Sequence, residues 1–298
     1  KPVFLDYSYN FAVRNFRHGS FGNVTKIDNT RQVKNSESFF SVAAGMPLAH
    51  RGVFLIRANG GHVNYRYDSD ELFADDTDHS RYSFFGIKAE LARNTLDKFL
   101  YPRRGSDLKL SGIFVTGRDK YEPFDAKKFL SRTPRQWFGA RFTWDKYFDM
   151  PGCSWLSLGL NVDGVITNHP EFTTEGATVM SMPAYEPVPH AQMIYMPDFR
   201  GRRFAAGGIM PTFDLMHNFF LRTGFYAMFR EKRSFVPGVS GPVEDKRWHY
   251  IAEASLVYHT PIGPVSLALT KYDLRNWKNM YLTFNFGYAI FAPKGTFY

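Results

Sequence analysis

A cluster of three arginines is the first feature of this chain that could do chemistry. It lies in the stretch PDFRGRRFAAGG, where Arg200, Arg202 and Arg203 stand around Gly201 and follow Asp198. A guanidinium binds a carboxylate or a phosphate through two parallel hydrogen bonds. The cluster is therefore compatible with a nucleic-acid patch, with a phosphate site, or with an anchor that pairs with a carboxylate of the same chain.

An acidic segment is the second candidate. Residues 68–80 read DSDELFADDTDHS, and oxygen-rich loops of this kind can bind Ca²⁺. The spacing does not match an EF-hand, because Leu72 and Phe73 interrupt the acidic positions and no glycine stands at the turn. We therefore expect a solvated acidic loop and predict no metal site.

Patterns of catalysis and of nucleic-acid binding are absent from the sequence. It contains no Gly-x-Ser-x-Gly motif, and GVSGP at residues 238–242 fails the spacing. The nine histidines are scattered, with no two at metal-ligand spacing on one strand face. Aromatic residues alternate with small polar residues and not with Lys and Arg, unlike a surface that stacks bases. The sequence predicts no catalytic residue, no cofactor and no nucleic-acid partner for this chain.

The composition favours strands over helices. Among 298 residues there are 30 Phe and 17 Tyr, and aromatic side chains suit a pleated sheet. No stretch approaches the ~20 apolar residues of a spanning helix. The start, KPVFLDYSYN, lacks the layout of a signal peptide, so we expect either a removed signal or a longer parent chain. The single Cys153 excludes an internal disulfide, and the net charge of +9 alone does not identify a partner.

Alternation of apolar and polar residues predicts about twelve antiparallel strands. The clearest case opens the chain, where every second residue is apolar: Val3, Leu5, Tyr7, Tyr9, Phe11 and Val13. The predicted strands cover residues 2–14, 36–48, 52–67, 82–95, 106–118, 135–148, 154–166, 204–215, 219–230, 247–260, 264–273 and 279–291. Short turns and long connections alternate along the whole series, so that the long ones all lie at one end.

This alternation of short turns and long connections is typical of transmembrane barrels of the outer-membrane type, which have short periplasmic turns and long outer loops. The second face of the strands carries more polar groups than a dry sandwich core tolerates. They include Lys88, Glu90, Arg141, Asp145, Asn161 and Asp163. Aromatic residues near strand ends are interpreted as interfacial girdles: Tyr7, Tyr9, Trp137, Trp144, Trp155, Trp248, Tyr250 and Tyr258. The predicted fold class is all-β, an antiparallel transmembrane β-barrel, with residues 1–298 forming a single domain.

Three stretches resemble, in their order, motifs of the bacterial surface antigen superfamily, the outer-membrane assembly and translocation barrels. NTLDKFLYPRRGSDLKLSG resembles the family's Asp-x-x-x-x-Pro-x-x-Gly hairpin, and TPIGPVSLAL resembles the turn before the penultimate strand. FRGRRF resembles the V-R-G-F/Y motif in the long loop that folds back into the lumen. The matching positions of the hairpin and the turn are Asp97, Pro102, Gly105, Pro261, Gly263 and Pro264.

The resemblance implies a role for one of the three arginines. In the family, the motif arginine lies inside the lumen and pairs with carboxylates on the strands after the loop. Here Phe199, Arg200 and Gly201 match the motif, and Asp214 falls on the polar face of the next predicted strand. We therefore expect an Arg200–Asp214 pair to fix the loop, with Glu253 as an alternative carboxylate. Arg202 and Arg203 receive no motif role.

Within the superfamily, the sequence of these motifs most resembles that of the C-terminal barrels of patatin-like phospholipases of Bacteroidota. Family barrels have sixteen strands, so either four strands lie upstream of Lys1 or this barrel is smaller. The resemblance implies an outer-membrane barrel of a Gram-negative bacterium that anchors, and translocates or displays, a soluble lipase domain joined to its N-terminus. The alternatives are a barrel that inserts other outer-membrane proteins and a porin-like diffusion channel. The expected partners are outer-membrane lipid and lipopolysaccharide, the soluble domain or other outer-membrane proteins, and, in a homodimer, a second copy.

Overall fold

The computed structural model describes most of the chain. The described residues are 2–17, 32–68, 77–122, 131–189, 191, 194, 196–235, 242–274, 280–287 and 294–296. Most of the acidic segment predicted as a solvated loop, residues 69–76, lies outside them.

All twelve predicted strands are present. They are β1 (Phe4–Arg17), β2 (Gln32–Leu48), β3 (Gly52–Asp68), β4 (Thr77–Asn94), β5 (Gly105–Glu122), β6 (Ser131–Asp149), β7 (Leu156–Thr167), β8 (Arg203–Met216), β9 (Phe219–Phe235), β10 (Pro242–Thr260), β11 (Gly263–Tyr272) and β12 (Met280–Phe286). Several strands extend further toward the long loops than predicted, because polar residues there continue the ladder. One helix, α1 (Glu175–Ser181), lies between β7 and β8.

The strands form a single antiparallel sheet in chain order, each paired with its sequence neighbours. The all-β antiparallel prediction is confirmed. β1 and β12 are the two edges of this sheet, and within the described ranges no ladder joins them. We call the gap between these two strands the seam. The described chain contains twelve strands, and four further strands upstream stay an expectation.

The two faces of the sheet differ as the alternation predicted. On β1, Leu5 and Tyr7 lie on the outer face with 75% and 78% of their surface exposed. On β4, Phe85, Ile87 and Leu91 are exposed, whereas Tyr82 and Phe84 are buried on the inner face. The outer face is thus a continuous apolar surface, and the sheet encloses an interior.

The interior is more aromatic than the sequence suggested. Trp137, predicted for an interfacial girdle, is fully buried on the inner face of β6. It packs against Tyr82 of β4, with ring centroids 5.5 Å apart. The prediction that Trp137 belongs to an interfacial girdle is wrong. Its ring is buried against another inner-face ring and does not lie at the lipid boundary.

A tight hairpin between β4 and β5 lies at the short-turn end. Asp97 accepts hydrogen bonds at Oδ1 from the backbone N–H groups of Arg103 and Arg104, at 3.0 and 3.2 Å. Gly105 has a φ of +102°, and a Cβ there would stand 2.2 Å from the carbonyl oxygen of Thr95. We call residues 95–104 the floor hairpin.

The floor hairpin reaches across the interior. Tyr101, with φ 53° and buried together with Pro102, contacts the ring of Phe220 on β9 and shares a 2.8 Å hydrogen bond with Ser266 on β11. The matching turn on the far side is formed by Pro261 and Ile262. Thr260 Oγ1 donates to the carbonyl of Gly263 at 2.6 Å, Gly263 has φ +134°, and the carbonyl of Pro264 accepts from Gly287. Both family-like motifs therefore form turns at the same end of the sheet.

Candidate functional site

The segment between β7 and β8, residues 168–202, folds into the interior and is the candidate functional site. We call its described residues the plug. Inner residues of strands far apart in the sheet, from β3 to β11, contact it, so the sheet wraps around it. The predicted in-folded loop is confirmed.

The start of the plug is fixed by a buried carboxylate. Asp119 on β5 is fully buried, and its Oδ2 accepts hydrogen bonds from the backbone N–H and the hydroxyl of Thr173, both at 2.8 Å. The next residue, Thr174, caps α1 by accepting from the N–H of Ala177. Asp119 therefore holds the residue that precedes the N-cap of the short helix.

Aromatic packing holds the same end of the plug. Phe172 lies 5.0 Å from the ring of Tyr82 and 6.2 Å from that of Trp137. His169 packs against Trp137 at 4.6 Å and is fully buried. Burial lowers the pKa of His169 to about 3, so the ring is neutral and packs as an apolar group.

Arg200 lies at the other end of the plug, where it holds the end of α1. Its Nη1 donates to the carbonyl oxygens of Met180 and Met182, at 2.9 and 3.2 Å. The carbonyl groups of a helix C-terminus lack partners within the helix, and a cation satisfies them. Arg200 is 7% exposed and forms an isolated bridge with Ala184, so the plug is folded back on itself at this residue.

The two neighbours of Arg200 determine how closely the plug approaches the wall. Phe199 is buried and meets the rings of His249 on β10 and Tyr272 on β11 edge-on, at 5.6 and 5.9 Å. At Gly201, an added Cβ would stand 3.1 Å from the carbonyl oxygen of Glu231 on β9. A small residue at this position allows the chain to enter β8 directly beside β9.

The predicted pair of Arg200 with Asp214 does not form. Asp214 faces inward as predicted, but it lies at the far end of β8 and pairs with Arg103 of the floor hairpin at 2.6 Å. A strand rises ~3.3 Å per residue, so Asp214 stands tens of ångströms from the end of β8 that follows Arg200. Glu253, the alternative, is buried on β10 and accepts from the hydroxyl of Ser255 at 2.5 Å.

Other arginines hold the plug instead. Arg141 on β6 forms a fork with Asp163 on β7, at 3.1 and 2.6 Å, and its Nη2 also donates to the plug carbonyl of Ala184 at 3.2 Å. Next to them, the hydroxyl of Tyr185 donates to Asn161 at 2.6 Å. The alternation placed Arg141 and Asp163 inside, and the bidentate geometry explains why the interior accepts them.

A second arginine ties the plug to the wall on the opposite side. Arg230 on β9 is 3% exposed and donates to Asp198 at 3.2 Å, to Asp245 at 3.3 Å and to Nε2 of His249 at 2.9 Å. Asp198 belongs to the stretch that opened the sequence analysis. The outlying Arg203 is exposed and stands 3.8 Å from Glu231. Asp198 and Arg203 of this stretch therefore interact with charged groups of the same chain.

No local sequence pattern predicts these partners. Arg141 and Asp163 lie 22 residues apart, and Arg230 and Asp198 lie 32 residues apart. The strand register brings Arg141 to Asp163, and the fold of the plug brings Asp198 to Arg230. The rise per residue of a strand could have excluded the Arg200–Asp214 pair, because it places Asp214 far along β8 from Arg200.

The described residues contain no group of three or more His, Cys, Asp or Glu side chains arranged to hold a metal ion. No helix in the described part of the chain is long and apolar enough to cross a membrane.

Comparison with known proteins identifies the fold. No family model and no curated protein matches this sequence. Among solved structures, BamA from Haemophilus ducreyi lacking POTRA domains 1–3 is similar, with a TM-score of 0.58 at 11% identity over 95% of this chain and 57% of that one. The chain thus spans just over half of the BamA structure. The beta domain of the Bordetella autotransporter BrkA also aligns over 95% of both chains at 9% identity, with a TM-score of 0.35 that is too low to indicate a shared fold. This chain has the fold of a BamA-like β-barrel.

Proposed function

We propose that this chain is an outer-membrane β-barrel of a Gram-negative bacterium that handles polypeptide at its seam. The exposed apolar outer face supports a lipid environment, because in a soluble protein so large an apolar surface would be covered. The strands of the sheet, such as β1 with 14 residues and β6 with 19, exceed the 9–11 residues that a tilted strand needs to cross the hydrocarbon core.

The unpaired seam is the observation that carries the proposal. β1 and β12 expose backbone N–H and C=O groups at the two edges of the sheet, and such an edge accepts another strand readily. The plug fills the interior at the same time. A diffusion channel would need an open lumen, so the filled interior favours a route along the wall.

The finer proposal is that the barrel anchors, and displays or translocates, a soluble domain joined to its N-terminus. The resemblance to barrels of patatin-like phospholipases supports a lipase as that domain. A parent sequence with Gly-x-Ser-x-Gly before Lys1 is the expected finding, and a parent sequence without it would remove the lipase. Insertion of other outer-membrane proteins is the second candidate, favoured by the similarity to the BamA fold.

Crosslinking the seam tests the proposal. In a Cys153→Ser background, Tyr9→Cys on β1 and Phe284→Cys on β12 place two exposed thiols on either side of the seam, and a flexible thiol crosslinker joins them. A reporter domain fused before Lys1 is then followed by its accessibility to protease added outside the cell. We expect the crosslink to abolish surface exposure of the reporter and a cleavable linker to restore it.

The matched control joins two strands that are already paired. Val42→Cys on β2 and Ala58→Cys on β3 are register partners. Their crosslink should leave surface exposure unchanged, because that ladder does not open. Equal exposure with and without the seam crosslink would contradict the proposal.

A further inference from the structure

The residues after β12 return to the interior and contact strands near the opposite edge of the sheet. Gly295 donates its backbone N–H to Oε2 of Glu37 on β2 at 2.8 Å, and its carbonyl accepts from Nδ2 of Asn59 on β3 at 2.9 Å. Lys294 pairs with both carboxylate oxygens of Glu186 in the plug, at 2.9 and 3.2 Å. These contacts join parts of the chain that are more than a hundred residues apart.

We propose that residues 294–296 form a clasp that holds the two edges of the sheet together from inside, in place of hydrogen bonds between β1 and β12. The clasp follows one edge strand, β12, and it binds the second and third strands from the other edge. It therefore links the two sides of the seam, where no ladder joins β1 and β12 within the described residues.

Glu37 connects the clasp to the edge strand β1. This residue is 3% exposed, and its Oε1 accepts from Nη1 of Arg14 on β1 at 2.5 Å and from Nδ2 of Asn35 at 3.1 Å. Its other oxygen is the one that binds Gly295. One buried carboxylate thus links β1, β2 and the clasp.

A side chain larger than that of glycine at the centre of the clasp would force its neighbours to shift. A Cβ on residue 295 would stand 2.6 Å from Cζ of Phe84 and 2.9 Å from Cδ1 of Phe39. Both rings are buried, so they have little room to move aside. The fit indicates a specific seat for this segment and not a chance contact of a chain end.

Charged side chains of the clasp, the plug and the wall meet at the seat. A cavity of about 20 Å³ is lined by Lys294 of the clasp, Arg200 and Glu186 of the plug, and Arg14 and Glu37 of the wall. Three cations and two carboxylates meet there. Removal of Lys294 or of Glu186 breaks a partly buried ion pair between the clasp and the plug, which favours release of the segment.

Closure of the sheet by the clasp does not depend on what the barrel carries. A barrel that exports nothing could still be held closed by the clasp, and an exporting barrel could be closed in another way. The readout must therefore be the geometry of the seam and not export.

The experiment measures the distance across the seam in the full chain reconstituted in lipid vesicles. Nitroxide labels on Tyr9→Cys and Phe284→Cys, in the Cys153→Ser background, report the separation of β1 and β12 by pulsed electron resonance. With the clasp intact we expect one narrow distance distribution. Lys294→Gln and Gly295→Leu should shift it to longer distances and broaden it.

Controls separate the clasp from general loosening. Lys88→Gln removes a Lys–Glu pair of the same kind, with Glu90, that lies within β4 alone, and it should leave the distribution unchanged. The charge exchange Lys294→Glu with Glu186→Lys should restore the narrow distribution. Asn59→Ala removes a clasp contact from the wall side. It should also give a longer and broader distance distribution, even where Lys294→Gln does not fold. Unchanged distributions in Gly295→Leu and Asn59→Ala would overturn the inference.

Discussion

At the scale of single side chains, the plug is held by arginines that donate to backbone carbonyls as well as to carboxylates. Arg200 binds two carbonyls at the end of α1, and Arg141 adds the carbonyl of Ala184 to its fork with Asp163. A guanidinium has five donors in a fixed plane, so one side chain can satisfy several acceptors in a buried place. This use of arginine explains how an irregular loop stays folded inside a sheet.

Removal of the Arg200 side chain is expected to loosen the plug. Arg200→Ala leaves the carbonyls of Met180 and Met182 without this donor in a buried site, and the loss of a charged hydrogen bond costs about 1.5–3 kcal/mol. Arg200→Lys should cost less, because it keeps the charge. The free energy of unfolding, measured by denaturant titration in lipid vesicles, checks the prediction.

Arg203→Ala is the matched control for Arg200. Its side chain is 58% exposed, and its pair with Glu231 is long, so its loss should change the free energy of unfolding by ~0–1 kcal/mol. Equal losses in the two alanine variants would contradict the role given to Arg200.

Protonation of Glu186 is expected to weaken the clasp. Burial raises the pKa of Glu186, but the charges of Lys294 and Arg200 lower it more, so its pKa lies below the ordinary value. Such a group stabilises the fold above the unfolded pKa, about 4.3 for Glu, and this contribution is lost as the pH falls through the folded value.

The measurement compares thermal unfolding of the natural chain and Glu186→Gln at a series of pH values. The natural chain should lose stability more steeply than Glu186→Gln below about pH 4, because only it carries this carboxylate. Other carboxylates titrate in both proteins and cancel in the difference. Parallel curves would show that Glu186 does not contribute.

At the scale of elements, the floor hairpin depends on one glycine. Gly105 has φ +102° and no room for a Cβ, whereas Gly152 has φ +81° and nothing within 4 Å of an added Cβ. Gly152→Ala should therefore lower the free energy of unfolding only by the cost of a left-handed backbone conformation, ~1–2 kcal/mol. Gly105→Ala should cost clearly more, because its methyl group also meets the carbonyl of Thr95. Unfolding midpoints of the two variants check this, and similar midpoints would mean that the hairpin rearranges freely.

The elements were largely predictable because the signal for a strand is local. Alternation on β1 from Leu5 to Val13 identifies both the strand and its outer face, and the family resemblance identifies the hairpin at Asp97. The direction of Trp137 was not predictable, since an inward ring needs the plug residues Phe172 and His169 as partners, and these lie on another element. Helix α1 was missed because its seven residues are held by Asp119 and Arg200 and not by a helical pattern.

At the scale of the whole molecule, the fold combines a filled interior with an open seam. Alternation and loop lengths predicted the barrel, but not the pairs that connect its distant parts. The family resemblance pairs Arg200 with Asp214, and no sequence pattern predicts the pair of Lys294 with Glu186. Such pairs depend on how the sheet curves and where its last segment returns. We propose that the clasp holds the edges of the sheet together and that the seam is the route for polypeptide.

The most direct test of this account is the conductance of the full chain in a planar lipid bilayer. The plug occupies the interior, so we predict insertion of the barrel without a steady open state, and brief openings when Arg200→Ala loosens the plug. A large and steady conductance in the natural chain that Arg200→Ala does not change would show that the lumen is an open channel. That result would contradict the central claim.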